Sequence, residues 1–365
     1  MNNDSYYMLL AIDLAKTNQG FTLSNPTVAA VIVSDYRIIA TGMHLEYGKE
    51  HAEVNAINNV ANKKLLVNST LYITLEPCCH FGKTSPCVDL IIQHKIKRVV
   101  IATLDPNPLI CGNGVKKLID NGIEVVVGIE EEKAKDLNKF FFYYIKNKLP
   151  YVSLKVASSI DGKIAKSDMT SRWITGSDAR YDVHKVRFIH DAILVGINTL
   201  LNDDSDLSAR LDSCIKIPYK IILDNNLRIS FNHKIIRISA VKIIIVTTSN
   251  DIDKIDSYRK IGINVIQMKQ SDYTIKNILL KLADIGITSV LVEGGNKIYN
   301  SFIDENCFNQ IIYYIGPKLI GGINSLPFFN GNELKSLDFA SYLKFSHVEK
   351  IGNNIKIIID NLSKE

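Results

Sequence analysis

Leu71-Tyr72-Ile73-Thr74-Leu75-Glu76-Pro77-Cys78-Cys79 is a short β-rich run ending on a proline and two cysteines; His51-Ala52-Glu53 precedes it and Ser85-Pro86-Cys87 follows. Leu71 to Leu75 is expected to form a strand. Pro77 is a favoured first helical residue, so Cys78 is expected at a helix N-terminus, where backbone N–H groups favour thiolate. His51 to Asn62 carries helical apolar spacing at Ala52, Val54, Ala56, Ile57 and Val60, after a loop-like Gly48-Lys49-Glu50. His51 and Glu53 stand two residues apart and would face different ways from the side of a helix. They converge only if the first turn meets a metal end-on.

An imidazole and two thiolates make up the donor set of a zinc that activates water against an amino-substituted base, with a carboxylate beside them that is not a ligand. The usual Cys-x-x-Cys closure is absent, because Phe81 stands three residues after Cys78. Adjacent cysteines rarely aim at one metal from a helix start, whereas Cys87 opens the helical run Val88 to His94. The expected ligands are therefore His51, Cys78 and Cys87, with Cys79 a bystander and Glu53 the proton carrier. A closed structural zinc site is the competing reading, but it uses four ligands and has no need of Glu53.

At 365 residues the chain should hold about two domains. Hydrophobic content is 46% and charged content 22%, ordinary for a soluble globular protein. No apolar run approaches a membrane span, and Met1-Asn2-Asn3-Asp4 is no signal peptide, so a cytoplasmic location is expected and no membrane partner. Six cysteines in a chain this long do not form a disulfide framework, and Cys111, Cys214 and Cys307 are expected to be buried or incidental thiols. The net charge of +5 is modest and scattered, which suits a small phosphorylated substrate better than nucleic acid.

The first 130 residues alternate helix and strand, which predicts a mostly parallel sheet covered by helices on both faces. Cys78 and Asp105 fall beyond strand carboxyl ends, where ligands bind in such sheets. Glu130 to Lys148 is expected to be one charged and aromatic helix stopped by Pro150. The boundary is placed there, giving domains 1–147 and 148–365. The βα rhythm resumes from Tyr151, with strands at Tyr151 to Ala157, Ala192 to Val195, Lys220 to Leu223, Lys242 to Thr247, Ser289 to Val292 and Gln310 to Ile315. Helices are expected at Asp178 to Ile189, Tyr273 to Asp284 and Lys297 to Asp304, and the tail should close the sheet with an antiparallel pair. Val290-Leu291-Val292-Glu293-Gly294-Gly295-Asn296 is a strand running into a Gly-Gly turn and a helix, which is either a phosphate cradle or a tight packing turn.

The stretch Leu75 to Cys87, together with Asn25-Pro26, Gly42-x-His44, Asp105-Pro106-Asn107-Pro108 and Gly112-x-Gly114, resembles the deaminase half of the bifunctional riboflavin-biosynthesis deaminase/reductase family. That family usually has Ser at Cys79 and Gly at Ala29; neither change touches a ligand. Lys155 to Lys163, Trp173-Ile174-Thr175-Gly176, Asp191 to Thr199 and Val292-Glu293-Gly294-Gly295 are similar to its reductase half. The resemblance implies an α/β chain with two parts: an N-terminal cytidine-deaminase-like three-layer α/β/α domain and a C-terminal dihydrofolate-reductase-like α/β domain. It implies zinc and NADPH as cofactors and a homo-oligomer formed through the reductase domain.

Carried over by position, Asn25, His44 and Asn107 would hold the pyrimidine and ribose, and Lys83 the phosphate. Ser158, Trp173, Thr199, Asp203 and the turn Gly295, Asn296, Lys297 would meet NADPH. Ser171, Arg187, Leu207, Arg210 and Glu293 would meet the reductase substrate, with the arginines on its phosphate. Lys155, Asp203 and Glu293 are the implied proton-handling groups. The family usually has Pro after Asp203-Asp204, where this chain has Ser205, which loosens that loop. The implied activity is zinc-dependent deamination of a diaminopyrimidinone ribosylamino phosphate, then NADPH-dependent reduction of its ribosyl group to ribityl. Two rivals stand beside it. One is a nucleoside or tRNA deaminase with an appended nucleotide-binding module, which the long Cys78 to Cys87 spacing and the scattered charge disfavour. The other is a zinc-stabilised binding protein, which a fourth protein ligand would reveal.

Overall fold

The computed structural model describes residues 3–79, 86–108, 110–212, 214–331 and 342–364. They divide into two compact units, Met1–Lys148 and Leu149–Glu365.

In the first unit, β1 (Ala29–Ser34) alternates its side chains between two apolar layers, as a strand buried on both faces must. Ala30 and Ile32 pack under α2 (Ala52–Asn59), α3 (Cys87–Gln93) and α4 (Asn113–Asp120). Ala29, Val31 and Val33 pack under α1 (Asn3–Lys16) and α5 (Glu131–Leu137). The sheet runs β2-β1-β3-β4-β5, with β2 (Arg37–Met43), β3 (Thr70–Ile73), β4 (Arg98–Ile101) and β5 (Glu124–Val127). It is a three-layer α/β/α unit.

The expected mostly parallel sheet is corrected here. β1 is antiparallel to both β2 and β3, and only β3-β4 and β4-β5 are parallel. For β1 and β2 the cause is local: Asp35 and Tyr36 both take positive φ, 49° and 59°, the two-residue turn that reverses a twisted strand into a hairpin. The single helix expected over Glu130 to Lys148 is also two, α5 and α6 (Lys139–Asn147), broken at Asn138. The Asn138 side chain is buried, accepting from Thr27 N–H at 2.7 Å and donating to Thr27 C=O at 2.9 Å. That paired bond replaces helix continuity at φ −113°.

The second unit is built on nine strands in the order β13-β12-β11-β8-β14-β6-β15-β18-β17. These are β6 (Tyr151–Ser159), β8 (Ala192–Gly196), β11 (Tyr219–Leu223), β12 (Ile243–Thr247), β13 (Asn264–Gln267), β14 (Ser289–Val292), β15 (Gln310–Gly316), β17 (Leu343–Ile351) and β18 (Asn354–Asn361). Those from β13 to β15 are parallel to their neighbours, and β18 and β17 continue the sheet antiparallel. One face is covered by α11 (Ile275–Asp284) and α12 (Asn296–Asp304). The other is covered by α7 (Ser177–Ile189), α9 (Lys234–Ser239) and α10 (Ile252–Lys260). Short pieces not expected from the sequence, α8 (Ile197–Asp203) and the pairs β7 (Lys163–Ala165) with β16 (Leu326–Pro327) and β9 (Ala209–Leu211) with β10 (Cys214–Lys216), complete the unit.

Candidate active sites

His51 is the N-cap of α2, with extended backbone at φ −73° and ψ 164°, while Glu53 lies in the first turn. A cap residue is not helical, so its side chain can turn toward the helix end, where Glu53 joins it. α2 also lies unusually close to β2: a Cβ on Gly42 would come within 2.2 Å of Ala56 N and 2.5 Å of Ala52 O. Only glycine allows that approach. Two residues on, His44 brings its ring edge-on to the His51 ring, with centroids 5.6 Å apart.

Cys78 does not open a helix, as the Pro77 signal suggested. It sits in irregular chain after β3, and its sulfur accepts instead from the first N–H of α3, Cys87 N, at 3.3 Å. A thiolate thus meets a helix N-terminus, but the helix belongs to Cys87. His51 Nδ1 lies 3.5 Å from Cys78 Sγ and 3.3 Å from Cys87 Sγ, and the three donor atoms all lie within 4.8 Å of one another. Ligands at about 2.0–2.3 Å on a tetrahedral zinc are separated by roughly 3.5 Å, which the two His51–sulfur distances match. Among the described residues no fourth His, Cys, Asp or Glu donor joins the group. Cys79 packs instead against the apolar layer under α2 and α3.

Hydrogen bonds from Cys87 and then His51 push the Cys78 thiol well down from its ordinary range. Glu53 is buried, and that burial, reinforced by the Cys78 sulfur, pushes its carboxyl up to about 7 in the metal-free chain. Burial also holds His44 below its ordinary value. Its Nδ1 faces Glu50 C=O at 3.1 Å, and its Nε2 meets Asn25 Nδ2 at 3.1 Å. Asn25 and His44 are therefore brought together beside the metal donors. Asn107 sits on the loop after β4, its N–H donating to Asp105 Oδ1 at 2.8 Å. Lys83 lies outside the described residues.

The second unit contains a cavity of about 1180 Å³ where β8, β11 and β14 end. It is lined by Lys155, Ser171, Trp173, Arg187, Thr199, Asp203, Leu207, Arg210, Glu293, Gly295, Asn296 and Lys297. Ser158 is not in the lining; it is buried, with its hydroxyl on Ser159 C=O and Tyr313 Oη, both at 2.8 Å. α8 and α12 start at the ends of neighbouring strands β8 and β14, with N-caps Gly196 and Gly295, so two helix N-termini face one cavity. That pairing, and a volume large enough for a dinucleotide, fit NADPH. His184, Arg180 and Lys234 also line the cavity and were not expected from the sequence.

Glu293 is the electrostatic centre of the cleft. Lys155 Nζ approaches its carboxylate at 3.0 Å, and the Arg187 guanidinium grips both oxygens, with Nη2 at 3.0 Å from Oε2. Burial opposes its charge, but Arg187 and Lys155 outweigh burial and hold the carboxyl well below the ordinary range. Arg187 also donates to Ser208 C=O at 3.1 Å. Arg187 and Arg210, the two arginines expected on the substrate phosphate, both line the cavity. Arg210 pairs with Asp206 at 2.6 Å but remains 50% exposed. Asp203 lies on the rim, 3.5 Å from Arg172, and the Trp173 ring is stacked by Arg180 at 4.3 Å.

The described residues contain no helix long and apolar enough to cross a membrane. Residues 1–103 match the cytidine and deoxycytidylate deaminase zinc-binding region, and residues 150–357 match the RibD C-terminal domain. The riboflavin biosynthesis protein RibD of Bacillus amyloliquefaciens is 40% identical over 355 residues, covering 97% of this chain and 95% of that protein. RibD of Aquifex aeolicus is 41% identical, covering 97% of each. Among solved structures, RibD of Acinetobacter baumannii superposes with a TM-score of 0.90 at 34% identity, covering 98% of this chain and 99% of that one. The diaminohydroxyphosphoribosylaminopyrimidine deaminase/5-amino-6-(5-phosphoribosylamino)uracil reductase of Thermotoga maritima does so at 0.86 and 38% identity, with the same coverage. With both halves matched in one order over nearly the full length, this chain belongs to the RibD family of riboflavin biosynthesis proteins.

Proposed function

We propose how the residues of the two sites carry out the family's two reactions. The enzyme is bifunctional, a zinc-dependent deaminase and an NADPH-dependent reductase of riboflavin biosynthesis. It removes the 2-amino group of 2,5-diamino-6-(5-phosphoribosylamino)pyrimidin-4(3H)-one, then reduces the ribosyl group of 5-amino-6-(5-phosphoribosylamino)uracil to ribityl. In our assignment residues 1–147 form the deaminase domain and 148–365 the reductase domain. The observation that carries the first half is the three-donor set His51, Cys78 and Cys87, with the buried Glu53 carboxyl beside it. Relatives matching over both halves leave no place for the nucleoside- or tRNA-deaminase alternative.

His51 Nδ1 and the Cys78 and Cys87 sulfurs would hold zinc, which lowers the pKa of water to about 7 and so supplies the nucleophile. Glu53 takes the water's proton and hands protons to the ring nitrogen and to the departing ammonia, so that a C–N bond is replaced by a C–O bond. Asn25 and His44 hold the base through their side-chain hydrogen-bonding groups. Asn107 and Lys83 complete substrate binding. In the cleft, NADPH when bound would supply a hydride for C1 of the ribose. Lys155 delivers the balancing proton as the ring C–O bond opens, and Glu293 keeps Lys155 charged and aimed. Thr199, Trp173, Asp203 and the Gly295–Lys297 turn align the cofactor, while Ser171, Leu207 and Arg210 hold the substrate.

Incubating the chain with the diaminopyrimidine phosphate, with and without NADPH, tests this directly. Product masses should show NH replaced by O without NADPH, and two hydrogens added with it. Cys87→Ser is expected to strip zinc and abolish deamination, whereas Cys79→Ser should leave metal content and rate close to wild type; metal analysis and ammonia release distinguish the two. Because each unit has its own core, a fragment from about residue 148 should still oxidise NADPH in chelator when given the deaminated substrate. A folded fragment without that activity would overturn the reductase assignment.

We further assign a homo-oligomer formed through the reductase domain. Among the described residues β17 is the last strand of its sheet, and it exposes Phe345 at 69% and Val348 at 61%, which a second copy would cover. The six cysteines are all free, which suits the reducing cytoplasm.

A further inference from the structure

Glu76, two residues before Cys78, is a buried carboxylate, 4% exposed, that no cation pairs among the described residues. Four backbone N–H groups serve it instead. Oε2 accepts from Asp105 N at 3.2 Å and Gly112 N at 3.0 Å; Oε1 accepts from Gly114 N at 2.9 Å and Val115 N at 3.3 Å. Its own N–H donates to Thr103 C=O at 3.0 Å. Two of the four donors belong to the first turn of α4, whose N-cap Gly112 makes no side-chain cap bond. Glu76, in the irregular chain after β3, therefore caps α4 from a separate segment. The other donors belong to the loop after β4. From Asp105 the bonding continues, since Asp105 Oδ1 accepts the Asn107 N–H at 2.8 Å.

We propose that Glu76 is a positioning residue for deamination: its carboxylate registers the loop carrying Asn107 against the segment carrying Cys78. The inference rests on the reading of this unit as the deaminase and of Asn107 as a substrate contact. A carboxylate has the acceptor capacity for four N–H groups, whereas an amide offers one oxygen and turns an NH2 toward donors. Glu76→Gln thus leaves buried N–H groups on the loop unsatisfied without changing the side chain's size. Gly114 provides an independent lever. A Cβ there would come within 2.4 Å of Pro77 O and 3.0 Å of Glu76 Oε1, so Gly114→Ala pushes the loop off the same anchor while leaving the carboxylate in place.

The test uses the full chain loaded with zinc and steady-state deamination of the diaminopyrimidine phosphate, with NADPH oxidation on the deaminated substrate as an internal control. Glu76→Gln and Gly114→Ala are each expected to raise KM about tenfold or more, with kcat falling less than about threefold, one zinc per chain and unchanged reduction. Glu76→Asp keeps the charge but not the reach and should fall between them and wild type. Variants that retain zinc with unaltered KM overturn the proposal. So does loss of zinc in all three, which would make Glu76 a support of the metal site alone. A wild-type chain that does not deaminate would overturn the deaminase reading itself, and this proposal with it.

Discussion

Glu53→Gln is expected to lose deamination by roughly 10²–10⁴-fold, the usual worth of a positioned acid–base group, while still binding one zinc and reducing supplied intermediate at the wild-type rate. The amide keeps the shape of a buried side chain but cannot accept the water's proton. Its burial and its place in the first turn of α2 put it beside the metal donors without making it one of them. Loss of zinc along with the carboxylate would mean that Glu53 is a ligand, and metal analysis of the variant decides between the roles.

Glu293→Gln should damage the other unit more broadly. Lys155 and Arg187 would be left inside the cleft without their counter-charge, with side chains 17% and 14% exposed. Removing one partner of such a buried set costs about 3–5 kcal/mol. The variant should lose NADPH oxidation and unfold at clearly lower denaturant, while deamination persists. The pH dependence follows from the sign of the shift. A carboxyl held below its unfolded value stabilises the fold above that value and loses its contribution as pH falls. The gap between wild type and variant should therefore be full at neutral pH and shrink below about 4.3, the ordinary glutamate value. A gap that widens in acid would contradict the ion-pair account.

The metal donors were legible because their chemistry is local. A His-x-Glu at a helix start and a cysteine after a proline carry their meaning within a few residues, and the strands that position them have plain apolar patterns. What stayed hidden depends on partners far along the chain. Nothing in Asp136-Leu137-Asn138-Lys139 announces a helix break, because the reason is Thr27, 111 residues earlier. The Arg187–Glu293 pair is of the same kind, since 106 residues separate the partners and no spacing joins them. Glu76 was visible only as part of a motif, since its four partners are backbone groups with no side-chain signature. Pieces such as β9, β10 and β16 have three residues or fewer, too short for any period to show.

β6 is the first strand of its sheet to be made and lies in the middle of it, between β14 and β15. Neither neighbour exists until Ser289–Val292 and Gln310–Gly316 have been synthesised. At roughly 5–20 residues per second, a strand this apolar waits on the order of 10–30 s for its first partner and then its second. Contacts of such sequence separation are slow to form even in the finished chain. A ribosome-bound nascent chain halted before β14 would therefore present Tyr151–Ser159 as unpaired, aggregation-prone backbone. The demand for chaperones during synthesis falls on the second half of the protein.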